Sequence, residues 1–547
     1  MSDTLSAIRT PVPSPDPVRR RPDRRRLARL LLVVILLVAA TLRVVGSRWG
    51  FPLLLHPDEW AVVDAVVDMA KRHSFEPPWS MRPDHVEMKV DYFLFAAFAA
   101  VVKHTSIPDS FAQDPLPFYW IGRLATAAFG VATVALAYLI GARSSRRLGL
   151  LMAGIFAVFP PFVQHAHFAT PDVPLTFALV ALTYALMRYV AKPSWPSVLW
   201  ASFFVALGIG IKYPAAVGAV MIGLVVIAAA VRDRDWRRLV VHGVGAAGAL
   251  VAFLFVISPT LFTNVADVRK ELVTQSAGDR LGIADHGLLG NLWWYATSYV
   301  NDAGLVLTTL TVVGLVLVIR QRRLDRLPWF VGVLVWVSLS TLPLVWERWA
   351  LPMYITPLLL AAAGLDLLFR QWPRWRGALI PWTVAGVVAA QLVSGSLVEV
   401  ATRLSPDVRS EALRYTQANG ITAKNTVFEG YSPLLPTFPQ LIFGRVKADG
   451  SGYTFRTAGG APAEYVILSS GMYSRVMADP ARQDQQAVYR WLDENAELVA
   501  QFDPSPGPAR SMLEPLAIVR NLRYVMDVAG GATTGYTIKI YRLPDSG

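Results

Sequence analysis

The sequence contains no cysteine, so disulfides, thiolate metal centres and a cysteine nucleophile are excluded from the start. Charge is scarce too. Asp, Glu, Lys and Arg make up 17% of the 547 residues, against 54% hydrophobic residues and a positive mean hydropathy. A soluble domain could not cover so much apolar surface with so little charge, which leaves an integral membrane protein. The formal net charge is +13. Its Lys and Arg residues fall in short clusters between apolar segments instead of forming one face, which fits membrane orientation and argues against nucleic acid as a partner.

The first residues, 1–26, mix prolines with Arg19, Arg20, Arg21, Arg24, Arg25 and Arg26 and predict a disordered basic arm on the cytoplasmic side. The apolar run 27–45 is long enough to span and has no small-residue cleavage site after it, so it reads as an uncleaved first helix running inside to outside. Residues 46–117 form a long external loop. Within it, 58–72 reads as an amphipathic helix on the membrane surface, and the apolar run 92–102, too short to cross, is placed in the interface. Further spans are expected at 118–141, 148–166, 172–191, 196–211, 214–231, 239–258, 301–319, 327–345, 350–369 and 378–398, about eleven in all. This count puts Arg143, Arg146, Arg147, Arg188, Lys192, Arg232, Arg234, Arg320, Arg322, Arg370 and Arg374 on one side, as the positive-inside rule requires. Counting 92–102 as a span would invert every later cluster.

The expected fold is an α-helical polytopic domain over 27–398 followed by a soluble extracytoplasmic α/β domain over 399–547. In the latter, 427–428, 465–468 and 536–541 read as strands and 409–419 and 483–495 as helices. The stretch 430–462, rich in Gly, Pro and aromatics, reads as a loop that either drapes over the membrane domain or serves as a plain cap.

This topology gathers chemistry on the external face. His56, Asp58, Glu59 and Lys89 come from the first loop, His165, His167 and Asp172 from the run after the third span, and Lys212, Tyr213, Glu347 and Arg348 from later hairpins. Acids and bases from distant segments thus meet on one membrane face, as a reaction there needs. Asp58 and Asp172 also fit plain helix-terminal acids, Tyr213 and Arg348 an interfacial belt, and Lys212 a snorkelling lysine. Carboxylates and imidazoles at Asp58, His85 and His167 suit a divalent ion, although no tight ligand spacing demands one.

His56-Pro57-Asp58-Glu59 after the first span, Arg123-Leu124, Ala169-Thr170-Pro171-Asp172, Gly210-Ile211-Lys212-Tyr213 and Arg348-Trp349-Ala350-Leu351-Pro352 occur in an order that resembles the polyprenyl-phosphate-dependent GT-C glycosyltransferases, the group of the protein O-mannosyltransferases and the lipid A aminoarabinose transferase. The resemblance covers about residues 27–370. It implies a GT-C membrane fold and transfer of a sugar from a polyprenyl-phosphate donor to an extracytoplasmic protein hydroxyl, glycolipid or cell-wall glycan, in a multi-pass plasma-membrane protein surrounded by lipid. It also implies Asp58 as general base, with Glu59 and Asp172 orienting hydroxyls, Tyr213 on sugar or phosphate, and Lys89, Lys212 and Arg348 on the leaving phosphate. The segment Glu87-Met88-Lys89-Val90-Asp91 lacks the proline often found near the corresponding lysine of that group. Alternative readings are a pentosyl transferase of cell-wall assembly with a decaprenyl-type donor, and a lipid or polysaccharide transporter. A transporter predicts mid-membrane charges or an internal repeat, and neither stands out.

Overall fold

The computed structural model describes residues 24–78, 85–275, 287–372, 379–433, 446–448 and 452–544. Most of the basic arm expected over 1–26 and part of the loop expected over 430–462 therefore lie outside the described residues. The chain begins with α1 (Arg24–Val44) and a first loop holding α2 (Trp60–Lys71), α3 (His85–Phe98) and α4 (Ile107–Gln113). The bundle continues with α5 (Leu116–Ala142), α6 (Arg146–Ala157), α7 (Pro160–His165), α8 (Asp172–Ala191), α9 (Trp195–Ile211), α10 (Val217–Asp233) and α11 (Trp236–Ile257). Short α12 (Thr260–Thr263) and α13 (Val265–Gln275) precede α14 (Gly287–Gln321), α15 (Val331–Ser340), α16 (Ile355–Gln371) and α17 (Leu379–Leu404).

Local chemistry sets these boundaries. Pro117 stands in the first turn of α5, where a missing N–H costs nothing. Ser145 Oγ accepts the Leu148 N–H at 3.1 Å to cap α6, and Asp235 accepts the Arg238 N–H at 2.9 Å to cap α11. Among the described residues, eight helices are long and apolar enough to cross a membrane, or nine if α3 and α4, bent by 71°, count as one span. The protein is thus a multi-pass membrane protein, with fewer full-length spans than the eleven expected. Three of those are helical but short or broken. The segment 148–166 splits into α6 and α7 before Pro160 and Pro161, α9 has 17 residues, and α15 follows a 3-10 turn (Leu324–Phe330) containing Pro328. α2 also differs from expectation. It begins at Trp60 and is buried on most sides against α3, α4 and the start of α5, in a core of Val62, Val66, Met69, Met88, Phe95 and Phe118, where the expected amphipathic helix would bury one side only.

After α17 comes the mixed domain, with α18 (Val408–Ala418), β1 (Thr426–Phe428), β2 (Val446–Ala448), β3 (Tyr453–Phe455), β4 (Tyr465–Ser469), α19 (Ser470–Met477), α20 (Gln483–Asn495), β5 (Glu497–Phe502), α21 (Ala517–Ala529) and β6 (Ile538–Arg542). Its sheet runs β1-β4-β6-β5. β1 lies parallel to β4, with Val427 opposite Val466, and the other pairs are antiparallel, with Ile467 opposite Ile540. β2 and β3 form a separate hairpin. One face of the sheet buries Val466, Leu468, Val488 and Leu492, the other Ala412, Ile467, Ile538 and Ile540. The expected strands and helices are all present, and β2, β3, β5, α19 and α21 are additions, the β2–β3 hairpin standing within the stretch 430–462 expected to be a loop.

Glycines bring α14 and α16 together. A Cβ on Gly314 would run into the carbonyl oxygen of Leu360, and one on Gly364 into that of Leu310. Small residues are how membrane helices approach closely. Gly314→Val should therefore abolish the monodisperse folded species on size exclusion in detergent, whereas Gly223→Ala, with open space around its Cβ, should leave it intact.

Candidate active site

The first loop is fixed by a buried ion pair. Glu59 is 0% exposed; its two oxygens accept from Arg123 Nε and Nη2 of α5, each at 2.7 Å, and Oε1 also takes the Ala169 N–H at 2.8 Å. Arg123 Nη1 donates to the carbonyls of Ser47 and Trp49, both at 2.8 Å. Burial alone would push the Glu59 carboxyl up, but the Arg123 guanidinium holds it below the ordinary glutamate range. Every polar atom of the pair is satisfied. The structure thus corrects the expectation that Glu59 faces substrate: it is turned inward and spent on α5 and on the Ala169 turn.

That anchoring aims the preceding residue the other way. Asp58 is 46% exposed and ion-pairs with Arg348, whose side chain is 30% exposed. Arg348 stands on a 3-10 turn (Glu347–Tyr354) that leads into α16. Burial holds the neighbouring His56 imidazole below its ordinary value, and its Nδ1 accepts the Asp58 N–H at 3.3 Å, which places the ring proton on Nε2. The His56 ring packs on Phe168 at 4.3 Å.

A second pair sits alongside. Asp172, the first residue of α8, accepts from Lys212 Nζ at 2.6 Å. Lys212 breaks from the end of α9 in extended conformation and lies 5.6 Å from the Trp349 ring centroid. Asp172 is within electrostatic reach of Arg348 and His165. Tyr213 opens the 3-10 turn directly after Lys212 and is half-buried. Asp58, Arg348, Asp172, Lys212, His56 and His165 therefore form one constellation at one end of the bundle.

Other expected residues do not join it. Lys89 donates to the Ile257 carbonyl at 2.8 Å, at the end of α11, and lies 3.6 Å from Glu76. This corner adjoins the end of α9, because a Cβ on Gly210 would touch Val86, Ile257 and Ser258. Glu347 is exposed and faces a different group, Asp302 and Glu399. The His167 ring lies between the carbonyls of Val163 and Val45, 2.8 Å from each, so it is a structural tie and not a substrate contact. Among the described residues no three His, Asp or Glu side chains come together as a metal site. Asp58, His85 and His167 are not brought together as such a group.

The sequence reading missed three contributors. Arg43, buried in α1, donates to the carbonyls of Phe156 and Ala157 and caps the broken end of α6. An arginine inside an apolar run is a usable signal for such a role. From the C-terminal domain, Arg409 is held bidentately by Asp407, reaches the Leu55 carbonyl at 3.4 Å and faces the Trp49 ring at 5.8 Å. Arg475 of α19 lies over Trp346 at 5.3 Å and Tyr431 at 5.4 Å, and Arg348 shares the Trp346 ring. Arg409 and Arg475 reach this end of the bundle from the C-terminal domain, and only tertiary packing brings them there.

Comparisons with known proteins bear on the fold. A family model described as dolichyl-phosphate-mannose-protein mannosyltransferase matches residues 119–262. The apo structure of ArnT from Cupriavidus metallidurans superposes with a TM-score of 0.52 at 14% identity, covering 87% of this chain and 96% of that one. The oligosaccharyltransferase AglB from Archaeoglobus fulgidus, solved with an inhibitory peptide and a dolichol-phosphate, superposes at 0.51 and 10% identity, covering 95% and 89%. No curated protein matches the sequence. The chain thus shares the fold of these two membrane-protein structures.

The Glu59–Arg123 pair generates a test. Arg123→Met leaves a charge buried without a partner and should cost about 3–5 kcal/mol, while the double variant Glu59→Gln/Arg123→Met should recover most of that loss. Thermal unfolding of the four proteins in detergent measures it. Because the folded carboxyl titrates below its unfolded value, the pair stabilises above the unfolded value and its contribution is lost as pH falls through the folded one. Glu59→Gln should flatten that acid limb.

Proposed function

We propose that this protein transfers a sugar from a polyprenyl-phosphate carrier to a hydroxyl of an extracytoplasmic acceptor, inverting the anomeric centre. The carrying observation is the Asp58–Arg348 pair, an accessible carboxylate beside a cation at the domain-bearing end of the bundle. The arginine clusters of the connecting loops support a cytoplasmic N-terminus and an extracytoplasmic C-terminal domain, which puts this site on the face where nucleotide sugars are absent and a lipid-borne donor is needed.

Arriving donor phosphate competes with Asp58 for Arg348 and with Asp172 for Lys212. Freed, Asp58 takes the proton of the acceptor hydroxyl as its oxygen bonds to the anomeric carbon from the face opposite the phosphate. The bond between that carbon and the phosphate oxygen breaks, and its electron pair leaves with the lipid phosphate. Arg348 and Lys212 neutralise the charge that develops there; loss of one such contact costs on the order of 2.7–4 kcal/mol of transition-state stabilisation. Asp172 and His56 orient hydroxyls. Lys89, in the adjoining corner, meets the phosphate from the α9–α11 side. Tyr213 and His165 line the approach.

The test incubates radiolabelled polyprenyl-phosphate sugars, hexoses and pentoses in parallel, with purified protein and membrane extract. Wild type should move label from one donor into acceptor, Asp58→Asn should lower kcat by about 10²–10⁴-fold, and Lys212→Met should lower kcat/KM by about 10²-fold. Equal turnover by wild type and Asp58→Asn overturns the role of Asp58. No turnover of any donor by wild type overturns the reading as a whole.

A further inference from the structure

α21 carries a surface that the reaction does not use. Its buried face, Ala517, Asn521, Tyr524 and Val528, packs on the last turns of α17 around Val398 and Ala401, and Tyr524 Oη meets Thr402 Oγ1 at 2.9 Å. The rest of its circumference is divided. At about 100° per residue, Val519, Leu522 and Met526 share one arc of about 60°, and Arg520, Arg523 and Asp527 another of similar width. The apolar arc is bare: Val519 is 58% and Met526 66% exposed, and Leu516, just before the helix, 73%.

The segment entering α21 fixes its height. The Met512 N–H donates to the Asn301 carbonyl at 2.8 Å, and Ser511 Oγ to Asn301 Oδ1 at 2.8 Å, both on α14. The Met512 side chain lies between α14 and α17: a Cβ on Gly304 would come within 3.2 Å of Met512 Cβ, and one on Gly395 within 2.7 Å of Met512 Cε. Gly395 is about two and a half turns, roughly 14 Å, below the end of α17. The crossing helices beside this segment carry exposed apolar side chains as well, Leu305 next to Gly304 on α14 and Leu404 at the end of α17.

We infer that α21 lies in the bilayer surface, its Val519–Leu522–Met526 arc among the lipid chains of the leaflet next to the C-terminal domain and its Arg520–Arg523 side toward headgroups and water. The occupant of that arc is lipid. The helix then holds the domain, and with it Tyr431 and Arg475, at a fixed height over the constellation.

Because the chain has no native cysteine, single cysteines can be labelled without background. Val519→Cys, Met526→Cys and Arg523→Cys in the full chain would each carry an environment-sensitive fluorophore, in nanodiscs containing either plain phosphatidylcholine or its spin-labelled counterpart. Labels at 519 and 526 should lose most of their emission to the lipid-borne quencher and resist aqueous iodide, and the label at 523 should respond to iodide. Labels at 519 and 526 quenched by iodide alone would overturn the inference by showing an arc open to water. Protection from both quenchers would overturn it in favour of a protein partner or a second copy of this chain.

Discussion

A carboxylate and a guanidinium that have both left water hold the site together. Desolvating two charges costs several kcal/mol each, and only full hydrogen-bond satisfaction offsets it. Glu59 and Arg123 reach that state by drawing on four chain segments: the turn at Ser47 and Trp49, the Asp58–Glu59 turn, α5 and the turn at Ala169. Each segment is thereby fixed relative to the others. Asp58 projects outward because its neighbour is pinned inward, and α8 begins three residues after the pinned Ala169, which delivers Asp172 to the same side. The chemistry is arranged by a pair that takes no part in it.

That these residues gather at one end of the bundle was legible in the sequence, because apolar runs and the charge clusters between them order the helix ends without knowledge of packing. Asp58, Arg348, Asp172 and Lys212 were placed together on that basis, and they meet. Which way each side chain turns was not legible. Asp58 and Glu59 are adjacent acids with the same local propensity, and only the presence of Arg123 on a distant helix separates their fates. His167 is consumed by two backbone carbonyls that became available where α7 ends and α1 gives way to the loop. Lys89 is drawn to the end of α11, a partner far along the chain.

Span lengths erred for a related reason. A hydropathy window does not register a helix that stops and restarts, as α6 and α7 do at Pro160, or one that tightens to a 3-10 turn before α15. Lipid-facing backbone could not tolerate such breaks. Here they are tolerated because protein surrounds them, with the Arg43 guanidinium on the freed carbonyls of α6 and Ser396 Oγ on that of Val158. In the C-terminal domain the alternation of strands and amphipathic helices was readable. α21 was not, since its pattern serves three surroundings at once.

The cations near Asp58 come with their own anions. Arg348 is matched by Asp58 and Lys212 by Asp172, so these four side chains carry no net charge between them. Under the proposed function, free inorganic phosphate gains little by entering, because it must displace carboxylates that are already in place. A ligand delivered along the membrane at high local concentration can make that exchange. On that same proposal, the carboxylates close back onto their cations when it leaves, which resets the site without waiting for another molecule.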